Sequence, residues 1–130
     1  MRTDITNTNE RGQTMTEFTL ILPILCLLLF GVIQFGIVFN NYVTVTDAAR
    51  AGARKAVVSR TAMSPSAITE NAVRSSAATL DQSKLAVTVA TSWTQGTDVT
   101  VTAAYPYEIS LLGLIVKSGT LHASTTERLE

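Results

Sequence analysis

Apolar and polar positions change their spacing three times along this chain, and each change predicts a different element. From Phe18 to Phe39 the residues read FTLILPILCLLLFGVIQFGIVF, with Thr19 and Gln34 as the main polar interruptions. No charged residue stands between Glu17 and Asp47. About 22 such residues, wound as a helix, are long enough to cross a hydrocarbon core of about 30 Å. The segment therefore predicts a membrane span. A removable secretory signal is the rival, but its apolar region normally runs about 7–15 residues after a short basic start. Here the polar lead-in is long and holds Asp4, Glu10 and Glu17, while Ala49-Arg50-Ala51 gives only a weak cleavage match. The pattern predicts a retained anchor. Pro23 lacks an N–H and its ring crowds the preceding turn, which predicts a loosened or kinked helix near Thr19.

Past the span no helix breaker except Gly52 appears before Ala62, so the helix is expected to continue outward. Ala49, Gly52, Ala53 and Ala56 fall at i, i+3, i+4 and i+7, giving one smooth face that a helix or sheet could approach closely. Asp47, Arg50 and Arg54 share another face, suited to water. Ser64-Pro65-Ser66 marks a break and restart, with Ser64 as candidate N-cap and Pro65 at the first helical position. A second helix is expected over roughly Pro65–Leu80, with Ile68, Ala72, Val73 and Leu80 on its apolar side.

The period then falls to two. Leu85, Val87 and Val89, and later Val99, Val101, Ala103 and Tyr105, alternate with small or polar residues. With Trp93–Asp98 as the turn, residues 84–107 read as a hairpin with one buried face. Thr120–Leu129 alternates again and predicts a third strand. Ile109–Val116 is an apolar run too short to span a membrane, expected as a packed loop or an interfacial contact. Three strands with one apolar side need a cover, which the two helices can supply.

Composition narrows the function. The formal net charge is zero and 15% of residues are charged, so no strong pull toward nucleic acid is expected. The one cysteine, Cys26, lies inside the apolar stretch and cannot form an intrachain disulfide. The one histidine, His122, has no Cys or His partner at metal-ligand spacing. Neither a phosphate-cradling glycine loop nor a nucleophile elbow is present. No catalytic residue, metal site or cofactor is expected, and Trp93, Tyr105 and Tyr107 read as core or interface aromatics.

One ordered set of residues carries a resemblance. The run Arg11-Gly12-Gln13, Glu17-Phe18, Leu22-Pro23, Phe35-Gly36 and Ala48-Ala49-Arg50-Ala51-Gly52-Ala53-Arg54 is similar to the TadE-like proteins, pseudopilins or minor pilins of tight-adherence type IV pili. The resemblance implies an α+β, type IV pilin-like fold: a long N-terminal transmembrane helix, then a small domain of one helix and a roughly three-stranded antiparallel sheet. It implies a leader over residues 1–12, a long helix over 13–63 and a head over 64–130. A prepilin peptidase would cut between Gly12 and Gln13 on the cytoplasmic side of a bacterial inner membrane, leaving the head outside. Position +1 is then Gln13 and +3 is Met15, so the match rests on Gly12 and Glu17.

The charge count points the other way. Arg50, Arg54, Lys55 and Arg60 follow the span against Arg2 and Arg11 before it, which by the positive-inside rule favours a cytoplasmic C-terminal side. Arg50 stands about 11 residues beyond Phe39, which weakens that bias. The implied partners are the peptidase, other pilins or pseudopilins, inner-membrane assembly proteins and the lipid bilayer. A carboxylate at the membrane edge is costly unless paired, so Glu17, beside Phe18, is expected to set register against a new N-terminal amine. Gly31 and Gly36 are expected to let neighbouring helices pack closely. The alternatives are an unprocessed single-pass anchor displaying a small binding domain, and a head released by signal peptidase.

Overall fold

The computed structural model describes residues 7–130, with side chains from Gly12 onward. The leader expected over residues 1–12 therefore lies outside the described residues, apart from the backbone of 7–11 and Gly12. Helix α1 runs unbroken over Asn7–Ser59, and α2 covers Pro65–Ser76. Strands β1 (Ala86–Ala90), β2 (Asp98–Leu111) and β3 (Leu114–Arg128) form one antiparallel sheet in the order β1-β2-β3. This is an α+β, pilin-like fold: a long apolar rod whose C-terminal part carries a small head.

The rod joins the head because its surface changes character at Val45. Up to that point nearly all the large apolar side chains are exposed; Val45, Ala48, Ala49, Ala53 and Ala56 are then fully buried. These positions recur every three or four residues and form one stripe facing the sheet and α2. Val73, Ala77 and Leu80 reach the stripe from the α2 side, and Val99, Val101, Ala103, Ala123 and Leu129 from the sheet. The sheet's outer face is polar. Thr100 pairs with Thr126 at 2.9 Å and Thr102 with Ser124 at 3.2 Å, hydroxyl to hydroxyl across the strands.

Two expectations change, and a third holds in position without the capping bond. Helix α2 stops at Ser76 rather than near Leu80, because the Gln82 side-chain amide donates to the carbonyls of Ala77 (2.8 Å) and Leu80 (3.2 Å) and ends the helix in turns. Ser64 does hold the N-cap position with Pro65 following, yet its side chain makes no capping bond. Ile109–Val116, expected as a packed loop or an interfacial contact, is not a loop. It belongs to strands β2 and β3, which pair as far as Leu111 with Leu114 and turn through Leu112 and Gly113. Both turn residues have positive φ, 52° and 83°, the backbone of a two-residue hairpin turn matched to strand twist.

Pro23 sits inside α1, which stays helical through it. Beside it, the Thr19 hydroxyl donates to the Met15 carbonyl at 2.8 Å, so it does not serve the carbonyl that the proline leaves without a helical donor.

At the other end of the head, the chain end is fastened by backbone bonds. Leu129 donates to Thr97 (2.8 Å) and accepts from Gly96 (2.7 Å). Gly96 has a φ of 81° in that turn, a conformation suited to glycine.

Arg74 fixes the passage from α2 to β1. Its Nε and Nη2 donate to Oε1 of Glu70 at 3.0 and 2.8 Å, while Nη1 donates to the carbonyls of Gln82 (3.1 Å) and Leu85 (3.4 Å). A planar guanidinium can hold a helix and a following loop at once, which an ammonium cannot do in the same geometry. Nearby, the Ser83 hydroxyl and N–H both donate to the Asp81 carboxylate, at 2.6 and 3.0 Å, and hold its pKa below the ordinary value. Arg74→Met is expected to remove the clasp and lower stability by about 1–2 kcal/mol, since charged hydrogen bonds contribute but this one is partly solvated. Denaturant unfolding of variant and parent in the same detergent measures the difference.

Candidate functional site

Two stretches of α1 carry the residues singled out above, and they face different surroundings. At the N-terminal stretch, Gly12, Gln13, Glu17 and Phe18 are exposed. The Gln13 side-chain amide donates to the Glu17 carboxylate at 3.3 Å, one helical turn away. The Thr16 hydroxyl donates back to the Gly12 carbonyl at 2.9 Å. A Cβ at Gly12 would meet nothing within 4 Å, so space alone does not require glycine there.

The middle of α1 presents apolar side chains to the outside all round. Leu20, Ile24, Leu28, Val32 and Phe35 are each more than 60% exposed, far beyond what a helix in a water-soluble core leaves open. Among the described residues one helix is long and apolar enough to cross a membrane, and none of its most apolar window is buried within the molecule. The helix α1 fits a membrane anchor. Phe35 and Phe39 stack at 6.3 Å between ring centroids on its outer part. Gly31 and Gly36 have open space where a side chain would be, so among the described residues nothing packs against that side of them.

The C-terminal stretch differs. Ala49, Ala53 and Ala56 are fully buried and Gly52 lies between them. A Cβ at Gly52 would collide with Cγ2 of Val73, and would stand 3.1 Å from Cγ1 of Val101 and 3.6 Å from the Thr69 carbonyl oxygen. The missing side chain lets α2 and β2 both reach the backbone of α1. Asp47, Arg50 and Arg54 stay exposed, with Asp47 and Arg50 3.6 Å apart; such a pair contributes little in water. A cut at Ala49–Ala51 would strip Val45, Ala48 and Ala49 from the core, so a released head would lose part of its own packing.

The remaining candidates are dispersed. His122 is exposed on β3 opposite Ala104. Trp93 and Tyr105 lean on the core, and the Tyr105 hydroxyl accepts the Asp81 N–H at 3.4 Å. Tyr107 covers Gly119, its cross-strand partner: a Cβ there would fall 2.9 Å from the ring. Cys26 is exposed on the span. Among the described residues no group of three His, Cys, Asp or Glu is placed to hold a metal ion. Sequence reasoning missed Arg74; only the Glu70–Arg74 spacing of four residues on a helix signalled it. It also missed the Tyr107–Gly119 pair, which needs the β2–β3 register.

The exposed apolar rod and its α+β head thus define a membrane-anchored protein of pilin-like architecture. Residues 12–54 match the family model described as TadE-like protein, the family whose residues the chain resembles. The match takes in Gly12, Glu17, the span and the small-residue face through Arg54, and stops short of α2 and the sheet. No curated protein and no solved structure matches the chain. The family is structural in kind and points to a protein associated with the Tad pilus, working with other pilus components and the membrane.

Gly52→Val is expected to overpack the contact with Val73 and Val101 and to cost about 1–3 kcal/mol. A lowered unfolding midpoint of the head, with unchanged membrane retention, is the expected result. A neutral outcome would show that α2 and β2 can draw back at no cost.

Proposed function

We propose that the chain is a minor pilin or pseudopilin, a structural or assembly subunit of a tight-adherence type IV pilus that is matured by prepilin peptidase. The observation that carries this reading is the placement of Glu17. It stands at the mouth of an exposed apolar helix, one turn from Gln13 and five residues after Gly12, inside the segment that matches the TadE-like family. Hydrolysis of the Gly12–Gln13 peptide bond would turn the Gln13 nitrogen into an α-amino group, cationic below a pKa of about 8. On the same helix or a neighbouring one, that cation neutralises the Glu17 carboxylate, which is expensive to leave unpaired near hydrocarbon.

Pairing between neighbours would fix the axial register of the rods, and the open flanks of Gly31 and Gly36 would let them approach closely. In this reading the N-terminus faces the cytoplasm, the span crosses the inner membrane once and the head lies outside. Other pilins and inner-membrane assembly proteins would then meet the exposed rod. The charge balance around the span does not favour this orientation, but a peptidase on the cytoplasmic side has to reach Gly12.

The second reading, an unprocessed single-pass anchor displaying its head as a binding domain, draws support from the unbroken course of α1 through Gly12. A protease needs the chain extended at the bond it cuts, so the first turns of α1 would have to open. Glycine eases that opening, being about 1 kcal/mol less favourable than alanine in a helix.

Two variants separate these readings. Intact mass of the native protein should show loss of residues 1–12, and Gly12→Ala should retain them; a parent that keeps its leader while functioning in its complex favours the anchor. Glu17→Ala is expected to be cut normally yet to recover about tenfold less assembled material, equivalent to about 1.4 kcal/mol. Co-purification of pilus components, quantified against the parent, is the readout, and undiminished recovery would remove the register role from Glu17.

A further inference from the structure

The β2–β3 hairpin is longer than the head requires. Val101 lies against α1 at Gly52, whereas Leu112 at the turn shares an apolar crevice with Pro23, Cys26, Leu27 and Phe30 of the span. Element geometry agrees: eleven residues of strand from Val101 to Leu112 cover about 36 Å, and twenty-five residues of helix from Gly52 to Leu27 cover about 37 Å. The hairpin therefore runs down the outside of α1 and ends beside the membrane-spanning segment.

Its tip has the surface of a membrane-seeking loop. Leu112, Leu114, Ile115 and Val116 are exposed, by 77, 73, 62 and 62%. Charged residues, Glu108 and Lys117, bracket the run on the two strands, one register step apart. The turn itself is informative. Leu112 holds a φ of 52°, a left-handed conformation that disfavours residues with a Cβ, and a two-residue turn of this kind ordinarily takes Asn, Asp or Gly. A leucine there gains nothing from facing water.

We infer that the hairpin tip, residues 109–116, is a second membrane contact, seated in the outer leaflet beside α1 and occupied by lipid acyl chains. This rests on the reading of α1 as a membrane span. Lipid is favoured over a partner protein because the tip is continuous with the span surface that the bilayer already covers. The seat has to be shallow, since the hairpin edges carry unpaired peptide groups that deep hydrocarbon would not satisfy. A depth of about 5–10 Å, usual for interfacial segments, keeps those groups near headgroups and water.

That depth fixes where the membrane ends on α1. With the tip level with Leu27–Phe30, the outer boundary falls near Gln34 instead of Phe39, and about 30 Å of helix below it reaches back to Thr14. Glu108 then sits among the headgroups, and Glu17 lies inside the inner boundary instead of at it.

The test uses the full chain with Cys26→Ala, reconstituted in vesicles of phosphatidylethanolamine and phosphatidylglycerol, with Ile115→Cys carrying an environment-sensitive NBD fluorophore. Thr126→Cys on the outer face of the sheet is the control. The expected result is blue-shifted NBD emission at residue 115, quenching by lipids with a nitroxide high on the acyl chain, and several-fold weaker iodide quenching than at residue 126. Iodide quenching equal to that at 126, in protein still bound to vesicles, would overturn the inference while leaving the span intact. Shielding from both iodide and lipid nitroxides that disappears on dilution in lipid would overturn it in favour of a second copy. Protein that fails to partition into the vesicles would remove the span and the inference together.

Discussion

Residue 52 has no side chain, and much of this architecture follows from that. Val73 of α2 and Val101 of β2 converge on the same point of α1, and the buried alanines on either side extend the contact for about two turns. Close approach between backbones replaces large apolar side chains as the means of joining rod to head. The choice suits a rod whose bulky residues are committed elsewhere. Leucine, isoleucine and phenylalanine dominate where α1 faces outward, while alanine and glycine dominate where it faces its own sheet. One helix thereby serves two environments without a break.

Both halves of α1 were legible from sequence, and the connections of the head were less so. The uncharged run before Asp47 and the spacing of Ala49, Gly52, Ala53 and Ala56 are local patterns with a fixed period, and the hairpin strands around Trp93–Asp98 alternate cleanly. Such signals need no knowledge of the partner surface. The β2–β3 turn was hidden for the opposite reason. Its residues are apolar without alternation, Gly113 is the only turn residue, and the second left-handed position is held by a leucine. Helix α2 was overextended because its end is set by the Gln82 amide, a side chain that sequence periodicity does not weigh. The candidate residues near Gly12 were visible by their spacing, but their setting is intelligible only beside a rod whose large apolar side chains are exposed.

Polar contacts in the head act mainly at its connections. Arg74 holds the loop after α2, Ser83 holds Asp81, and Leu129 is tied by its backbone to the turn at Gly96. Every side-chain polar atom buried among the described residues has a partner, as the cost of burying an unpaired one requires. The sheet's hydroxyl pairs complete this arrangement on the outside, giving the head a neutral face while its apolar surface is concentrated on the rod and the hairpin tip.

The absence of any joint between rod and head has a mechanical result. Each residue of α1 advances the axis by about 1.5 Å and turns it by about 100°, so the azimuth of the sheet is phased to that of Glu17. A single residue inserted between Phe39 and Val45 would swing the head by more than a quarter turn about the helix, whereas seven would nearly restore its bearing. Length and phase along this segment are thus coupled, and a subunit of this design carries its orientation through the membrane as a rigid shaft does.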